Sequence, residues 1–290
     1  MTKQAPEKQS NNPDTVAQEN NVELTQEFQV TRFVNGFPTT RSIALARETP
    51  YTLFVNDEEI LSISTLPTHL EELFVGFLVS EAVLTDPSEI VEVRVDQSSR
   101  IVSIEVNVSE ERLDRIRQKG MLTSGCAGGI VFSVENAIQP RENAVTRIMI
   151  PADLISMRMK EVDKFQGIYS QTRGTHAAAV ASEAQTIVIL EDIGRHNAID
   201  KIIGYCFLNH VSPSDKLLLT TGRITSEAVS KAIRAKFPII VSRSSASSTA
   251  LNIARQANLD VVTYVRAGRF NFFGHGATEI IPRTDDGQES

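Results

Sequence analysis

The sequence predicts an α/β protein, with a buried, largely parallel sheet covered by helices over residues 120–284 and a smaller α+β domain over residues 22–119. Three observations carry this. After His176, short apolar runs alternate with amphipathic helical stretches, the pattern of strands buried on both faces. Before Lys119-Gly120, the runs are alternating or β-branched and are separated by turn signals such as Asn35-Gly36 and Asn56-Asp57. The chain has 290 residues and 41% hydrophobic content, enough for one large core or two of ordinary size.

Residues 1–21, "MTKQAPEKQSNNPDTVAQENN", are polar and are expected to be disordered, as are residues 285–290. The first of these stretches also lacks the apolar core of a signal peptide. The strands expected next are "EFQVTRFV", "SIALARE", "YTLFVN" and "EILSIST". "THLEELFVGFLVSEAVL" predicts a helix: Thr68 is the expected cap, with Glu71 three residues on, and Leu70, Leu73, Phe74, Phe77 and Leu78 follow helical spacing. "IVEVRV" and "RIVSIEVNV" return to strand. In the second half, "HAAAVAS", "TIVIL", "KLLLT", "PIIV" and "DVVTYV" read as strands. "RHNAIDKIIGYCFLNH", "SEAVSKAIRAKF" and "SSTALNIARQAN" read as helices.

Composition excludes several functions. A net charge of −7 argues against a general nucleic-acid binder, which needs a basic face. No apolar run is long enough for a membrane span, so a cytoplasmic location is expected. Two cysteines do not make a disulfide framework. Neither Cys-x-x-Cys nor His-Glu-x-x-His occurs, so no metal site is expected.

In open parallel sheets, ligands bind at the carboxyl ends of the strands. Here the segments after four strands, "EDIGRHN", "TGRITS", "SRSSASS" and "VRAGRF", all carry arginine: Arg195, Arg223, Arg243, Arg266 and Arg269. Three of them run into helix N-termini, so together they would form an anion site. The alternative is that each arginine pairs with a local carboxylate such as Glu191, Asp192 or Glu227. His196 and Asn197 sit at a helix start; the histidine could bind substrate, move a proton or satisfy the helix end. His176 opens an apolar strand and reads equally well as a structural histidine. Cys206 shares a helical face with Ala198, Ile199, Ile202 and Ile203, as a buried small hydrophobe would. Cys126, in "TSGCAGGI", is either part of a glycine-rich connector or a sulfur presented by a mobile loop, and the residues alone leave both open.

Together "HLEELFVGFLVSEAVL", "LTSGCAGG", "TRGTHAAAV", "EDIGRHNAIDKIIG", "TTGRITSEAVSKA", "VSRSSASSTALNIA" and "VRAGRFNFF" resemble the formate dehydrogenase accessory sulfurtransferases, the FdhD/NarQ family, from about residue 25 to residue 283. The resemblance implies a cytidine-deaminase-like three-layer domain without the deaminase zinc set, in a cytoplasmic homodimer. It implies that the protein takes sulfur from a cysteine desulfurase as a persulfide on Cys126. The sulfur then passes to the molybdenum of a bis-molybdopterin guanine dinucleotide cofactor, as formate dehydrogenase activity requires. Many members carry a second cysteine where this chain has Gly129, which leaves a relay through a single persulfide. The family's cofactor-binding segment corresponds to Tyr264, Val265, Arg266, Ala267, Gly268 and Arg269. Arg223, Arg243, Arg266 and Arg269 are then expected on phosphates, with His196 and Asn197 near the guanine or sugar. Two other functions compete. One is a non-catalytic chaperone that delivers the same cofactor, with Cys126 structural. The other is a nucleotide-processing enzyme of the deaminase fold, which the missing zinc ligands count against.

Overall fold

The structure, a computed structural model, describes residues 23–123 and 147–283. The two terminal stretches expected to be disordered, and Cys126, lie outside the described residues.

The first elements are hairpins whose turns match their sequence. Strands β1 (Thr25–Val34) and β2 (Phe37–Ala46) pair antiparallel around Asn35 and Gly36, both at positive φ, as a two-residue turn between twisted strands requires. Strands β3 (Thr49–Val55) and β4 (Glu58–Thr65) turn at Asn56-Asp57 in the same way. With β5 (Ile90–Asp96) and β6 (Ile101–Val106) they form a sheet of order β4-β3-β6-β5, in which β3 and β6 are parallel. Helix α1 (Leu70–Ser80) lies between, and helix α2 (Glu110–Thr123) follows β6. The N-cap of α1 is His69, at φ 51 with no side-chain cap bond, rather than Thr68.

Strand β7 (Ile148–Pro151) leads into α3 (Ala152–Lys164) and the short α4 (Ile168–Thr172). Then come β8 (His176–Ala181), β9 (Thr186–Asp192), α5 (Arg195–Leu208), β10 (Leu217–Thr220), α6 (Ser226–Arg234), β11 (Ile239–Ser242), α7 (Ser248–Gln256) and β12 (Asp260–Arg266). Strands β13 (Arg269–Phe273) and β14 (Thr278–Ile281) close the chain, β14 pairing with β7. The main sheet has the order β13-β12-β11-β10-β8-β9. It is mixed, which corrects the expected mostly parallel sheet. Only β10, β11 and β12 pair in parallel, while β8 is antiparallel to both its neighbours and β13 is antiparallel to β12. Connection length explains the difference. The links after β8 and β12 are hairpin turns, whereas α6 and α7 supply the crossovers that parallel neighbours need.

The sheet separates two apolar layers because successive side chains point to opposite faces. Ala179, Ala181, Leu219, Val241 and Val262 pack on Leu154, Ile155 and Met159 of α3. Ala178, Val180, Leu218, Ile240 and Val261 pack on α5, α6 and α7, and the same cluster continues through α1 to Leu53 and Ile104 of the small sheet. The result is three layers, helix on sheet on helix, and one core that runs through both halves of the chain. Helices α1 and α5 touch backbone to backbone: a Cβ on Gly204 would overlap the Glu72 carbonyl, and one on Gly76 would overlap that of Asp200.

Buried ions tie the halves together. Lys201, fully buried, meets Asp192 at 2.8 Å and donates to the carbonyl oxygens of Leu66 and Glu191. Asp192 also accepts from the Leu66 backbone N–H and the Thr65 hydroxyl. Lys231 meets Asp200 at 2.8 Å, and Ser80 of α1 donates to the same carboxylate. Burial works against the Lys231 ammonium, but Asp200, Glu227 and Glu81 outweigh it and raise its pKa.

Candidate functional site: an arginine-lined sheet edge

Strands β9, β10, β11 and β12 run in one direction and end at one edge, where β8 begins with His176. The loops leaving this edge are bound to one another. Ile224 pairs with Ala246 as a parallel bridge, the Ser242 hydroxyl donates to the Gly222 carbonyl, and the Tyr264 N–H donates to the Ser244 carbonyl. Thr225 caps α6 and Ser247 caps α7 through their side-chain oxygens. Helix α5 begins after Gly194 with no side-chain cap and no acidic residue in its first turn.

The carboxylates expected to compete for the arginines are engaged elsewhere. Glu191 accepts the Ile168 and Tyr169 N–H groups at the start of α4 and the Thr175 hydroxyl. Asp192 holds Lys201, the Gly194 N–H and Asn197. Glu227 lies 3.1 Å from His196. Arg243 pairs instead with Asp163 of α3, at 2.7 Å. Arg195, Arg223, Arg266 and Arg269 have no carboxylate partner among the described residues. Arg266 Nε donates to the Arg243 carbonyl at 3.2 Å. Arg195 Nε is buried without a hydrogen-bond partner. Arg195 lies against Gly222, where a Cβ would come within 2.8 Å of its own. An edge this rich in unpaired guanidinium groups attracts anions.

His196 and Asn197 sit at this edge but are held by the protein. Asn197 donates to the Ser64 carbonyl and to Asp192, tying α5 to the small sheet. His196 Nε2 lies 2.9 Å from the Thr225 hydroxyl. Burial, against the pull of Glu227 and with help from Lys231 and Arg195, lowers its pKa to about 4. The ring is therefore neutral, with Nε2 hydrogen-bonded to the Thr225 hydroxyl and Nδ1 3.1 Å from a Glu227 carboxylate oxygen. An unfolded histidine binds its proton near 6.5, so this neutral ring stabilises the fold above that pH. The contribution is lost as pH falls through 4. His196→Gln is expected to flatten the fall in urea midpoint between pH 6.5 and 4, by about 2 kcal/mol of pH-dependent stability. An unchanged slope in that variant would assign the acid sensitivity to other groups.

Residues 264–269 form the corner from β12 to β13. Ala267 and Gly268 both have positive φ and make a two-residue turn between the paired Arg266 and Arg269. Tyr264, at φ 55, stands in the bulge between Thr263 and Arg266 and is 52% exposed. Val265 turns the other way and is buried against α3, so it supports the corner from beneath. Beside this corner lies a cavity of about 530 Å³ lined by Met157, Met159, Lys160, Arg266, Ala267 and Gly268. A second cavity, of about 340 Å³, opens at the start of β8 between Phe165, Tyr169, Arg173, His176, Thr221 and Arg243. Tyr169 and Arg173 were not legible as site residues, although "TRGTHAAAV" marks the strand they precede. Cys206 is buried in α5, and burial pushes its thiol up to about 12.

Among the described residues, no His/Cys/Asp/Glu cluster could hold a metal ion, and no helix is long and apolar enough to cross a membrane. A model of the FdhD/NarQ family matches residues 46–280. A sulfur carrier protein FdhD of Bacillus pumilus is 33% identical over 84% of this chain and 93% of its own length. That of Bacillus subtilis is 32% identical over 88% and 97%. A crystal structure of a candidate formate dehydrogenase accessory protein from Desulfotalea psychrophila superposes with TM-score 0.71 at 28% identity, over 87% of this chain and 97% of that one. With an unpaired arginine edge on an α/β frame and relatives matched along nearly their whole length, the chain belongs to the FdhD/NarQ family.

Proposed function

We propose that this protein is a cytoplasmic sulfur carrier, working as a homodimer, that loads Cys126 with sulfur from a cysteine desulfurase and delivers it to the molybdenum cofactor of formate dehydrogenase. The observation that carries this is the set of four arginines without carboxylate partners at one sheet edge, in a family whose curated relatives are named sulfur carriers. The residues present fit the cargo. Bis-molybdopterin guanine dinucleotide carries two pyrophosphates, and guanidinium groups beside helix N-termini recognise such groups. The cytidine-deaminase-like description of the fold and the roles of single residues in 264–269 belong to this proposal too.

The chemistry needs one thiol. The Cys126 thiolate attacks the outer sulfur of the donor's persulfide, the donor S–S bond breaks, and the donor thiolate leaves. The outer sulfur of the Cys126 persulfide then bonds molybdenum while the second S–S bond breaks. Cys126 returns to thiolate, and the metal supplies the two electrons that make the sulfur a sulfide. Gly129, where many family members have a second cysteine, is consistent with this single relay.

The test is incubation with a cysteine desulfurase and cysteine, followed by peptide mass spectrometry. One added sulfur on the peptide containing Cys126, removed by dithiothreitol and absent from Cys126→Ala, is expected. Labelling that persists in Cys126→Ala would sink the proposal.

A further inference from the structure

The cavity at the start of β8 is separate from the 264–269 corner, yet the two share a wall. Asp163 lines both, the Asp163–Arg243 ion pair stands between them, and Arg266 is bonded to the Arg243 carbonyl. A ligand long enough to reach from the corner past Arg243 would enter the second cavity.

That cavity pairs an apolar, aromatic floor with uncommitted positive charge. Val162, Phe165, Tyr169 and Ile193 supply the floor. Its carboxylates are spent, Glu191 on two backbone N–H groups and a hydroxyl, Asp163 on Arg243. Arg173 has no carboxylate partner among the described residues and lies 5.1 Å from the centre of the Tyr169 ring. Arg173 also has φ 57, the left-handed conformation that glycine takes at a helix end and that strains a long side chain. Gly174 is the very next residue, so the chain places a guanidinium where a glycine would fit with less strain. His176 stands at the back with Nδ1 3.4 Å from the Thr221 hydroxyl. Burial, with the fields of Arg195 and Arg243, lowers its pKa and leaves an uncharged ring able to accept or donate one hydrogen bond.

An aromatic floor, an uncharged hydrogen-bonding ring and an unpaired guanidinium suit a flat polar heterocycle that carries an anionic group. Resting on the cargo proposed above, each half of which runs from guanine through a pyrophosphate to a pterin, we infer that this cavity is the pterin subsite. Tyr169 stacks on the ring and Arg173 holds the phosphate, while the 264–269 corner takes the nucleotide.

Neopterin monophosphate and GDP serve as probes of the two subsites on the full-length protein, the first followed by pterin fluorescence and the second by calorimetry. The expected result is that neopterin monophosphate binds and is not displaced by GDP. Arg173→Gly and Tyr169→Ala each weaken it about tenfold or more. Both leave GDP affinity unchanged, whereas Arg269→Ala weakens GDP alone. Arg173→Gly relieves the left-handed strain, so its thermal midpoint should hold or rise, which separates lost binding from lost folding. Displacement by GDP, or unchanged pterin affinity in Arg173→Gly and Tyr169→Ala, overturns the subsite. Inorganic pyrophosphate binding as tightly as the pterin phosphate overturns the ring assignment. Sulfur labelling of Cys126 needs no cofactor and is measured on the same variants, so loss of the pterin subsite with labelling intact leaves the sulfur-carrier proposal standing.

Discussion

Replacing Cys126 by alanine is expected to abolish activation of formate dehydrogenase by this protein, while Cys206→Ala leaves it near the wild-type level. The difference is thiolate supply. Thiol–disulfide exchange proceeds through the thiolate. Cys206 is 2% exposed in the α5 core, and burial pushes its thiol up to about 12. At neutral pH it is thiolate in roughly one molecule in 100,000, and its sulfur is closed to a partner protein. It therefore cannot replace Cys126, and activation in Cys126→Ala should fall at least a hundredfold, about the loss of a reacting group. The measurement is formate oxidation in a strain lacking its own copy of this protein, complemented by each variant. Full activity in Cys126→Ala would instead favour a chaperone that delivers the cofactor without carrying sulfur. Lost activity in Cys206→Ala alone would mean that the buried thiol opens to solvent.

Gly204→Ala carries the largest expected loss of stability. Helix propensity alone predicts the opposite sign, since alanine favours a helix interior over glycine by about 1 kcal/mol. At this position, however, the new methyl group would overlap the Glu72 carbonyl of α1, and Gly76 gives α1 the same close approach to α5. Backbone cannot rotate aside as a side chain can, so the two helices must separate. They carry the core that joins the small sheet to the main sheet. Overpacking usually costs about 1–3 kcal/mol, and a backbone clash belongs at the upper end or beyond. A net loss of about 3 kcal/mol is expected, a large share of the total stability of a typical protein. Urea denaturation of Gly204→Ala against wild type checks it. A midpoint equal to or above wild type in Gly204→Ala would show that α1 and α5 can part without cost.

Much of the fold was legible in periodicity. Each strand and helix expected from "EFQVTRFV" to "DVVTYV" is present, because apolar spacing records which face of an element is buried. Elements with weaker local signals are not legible in this way. Helix α4 has five residues and is completed by the Glu191 carboxylate at its N-terminus, a partner distant in sequence. Helix α3 does bury Leu154, Ile155, Met159 and Val162 at helical spacing, but its Arg158 is buried as well and blurs the pattern. The arginine edge was legible as a set, since each member follows a strand. Whether those arginines were free or paired was not legible, because it depended on which distant groups Glu191, Asp192 and Glu227 would meet.

By itself, the sequence determined the alternation of strands and helices, the placing of arginines after strands, and the segments that mark the family, all of them properties of neighbours along the chain. Only the tertiary structure decided the direction of β8 and β13, the joining of the halves through Gly76 and Gly204, and the commitment of His196 and Asn197 to Thr225, Glu227, Asp192 and Ser64. It also opened the cavity around Tyr169 and Arg173. Apart from the β12–β13 hairpin and the Asn197–Asp192 bond, these depend on partners dozens of residues apart, and a contact of that kind leaves no period in the sequence for either partner to reveal alone.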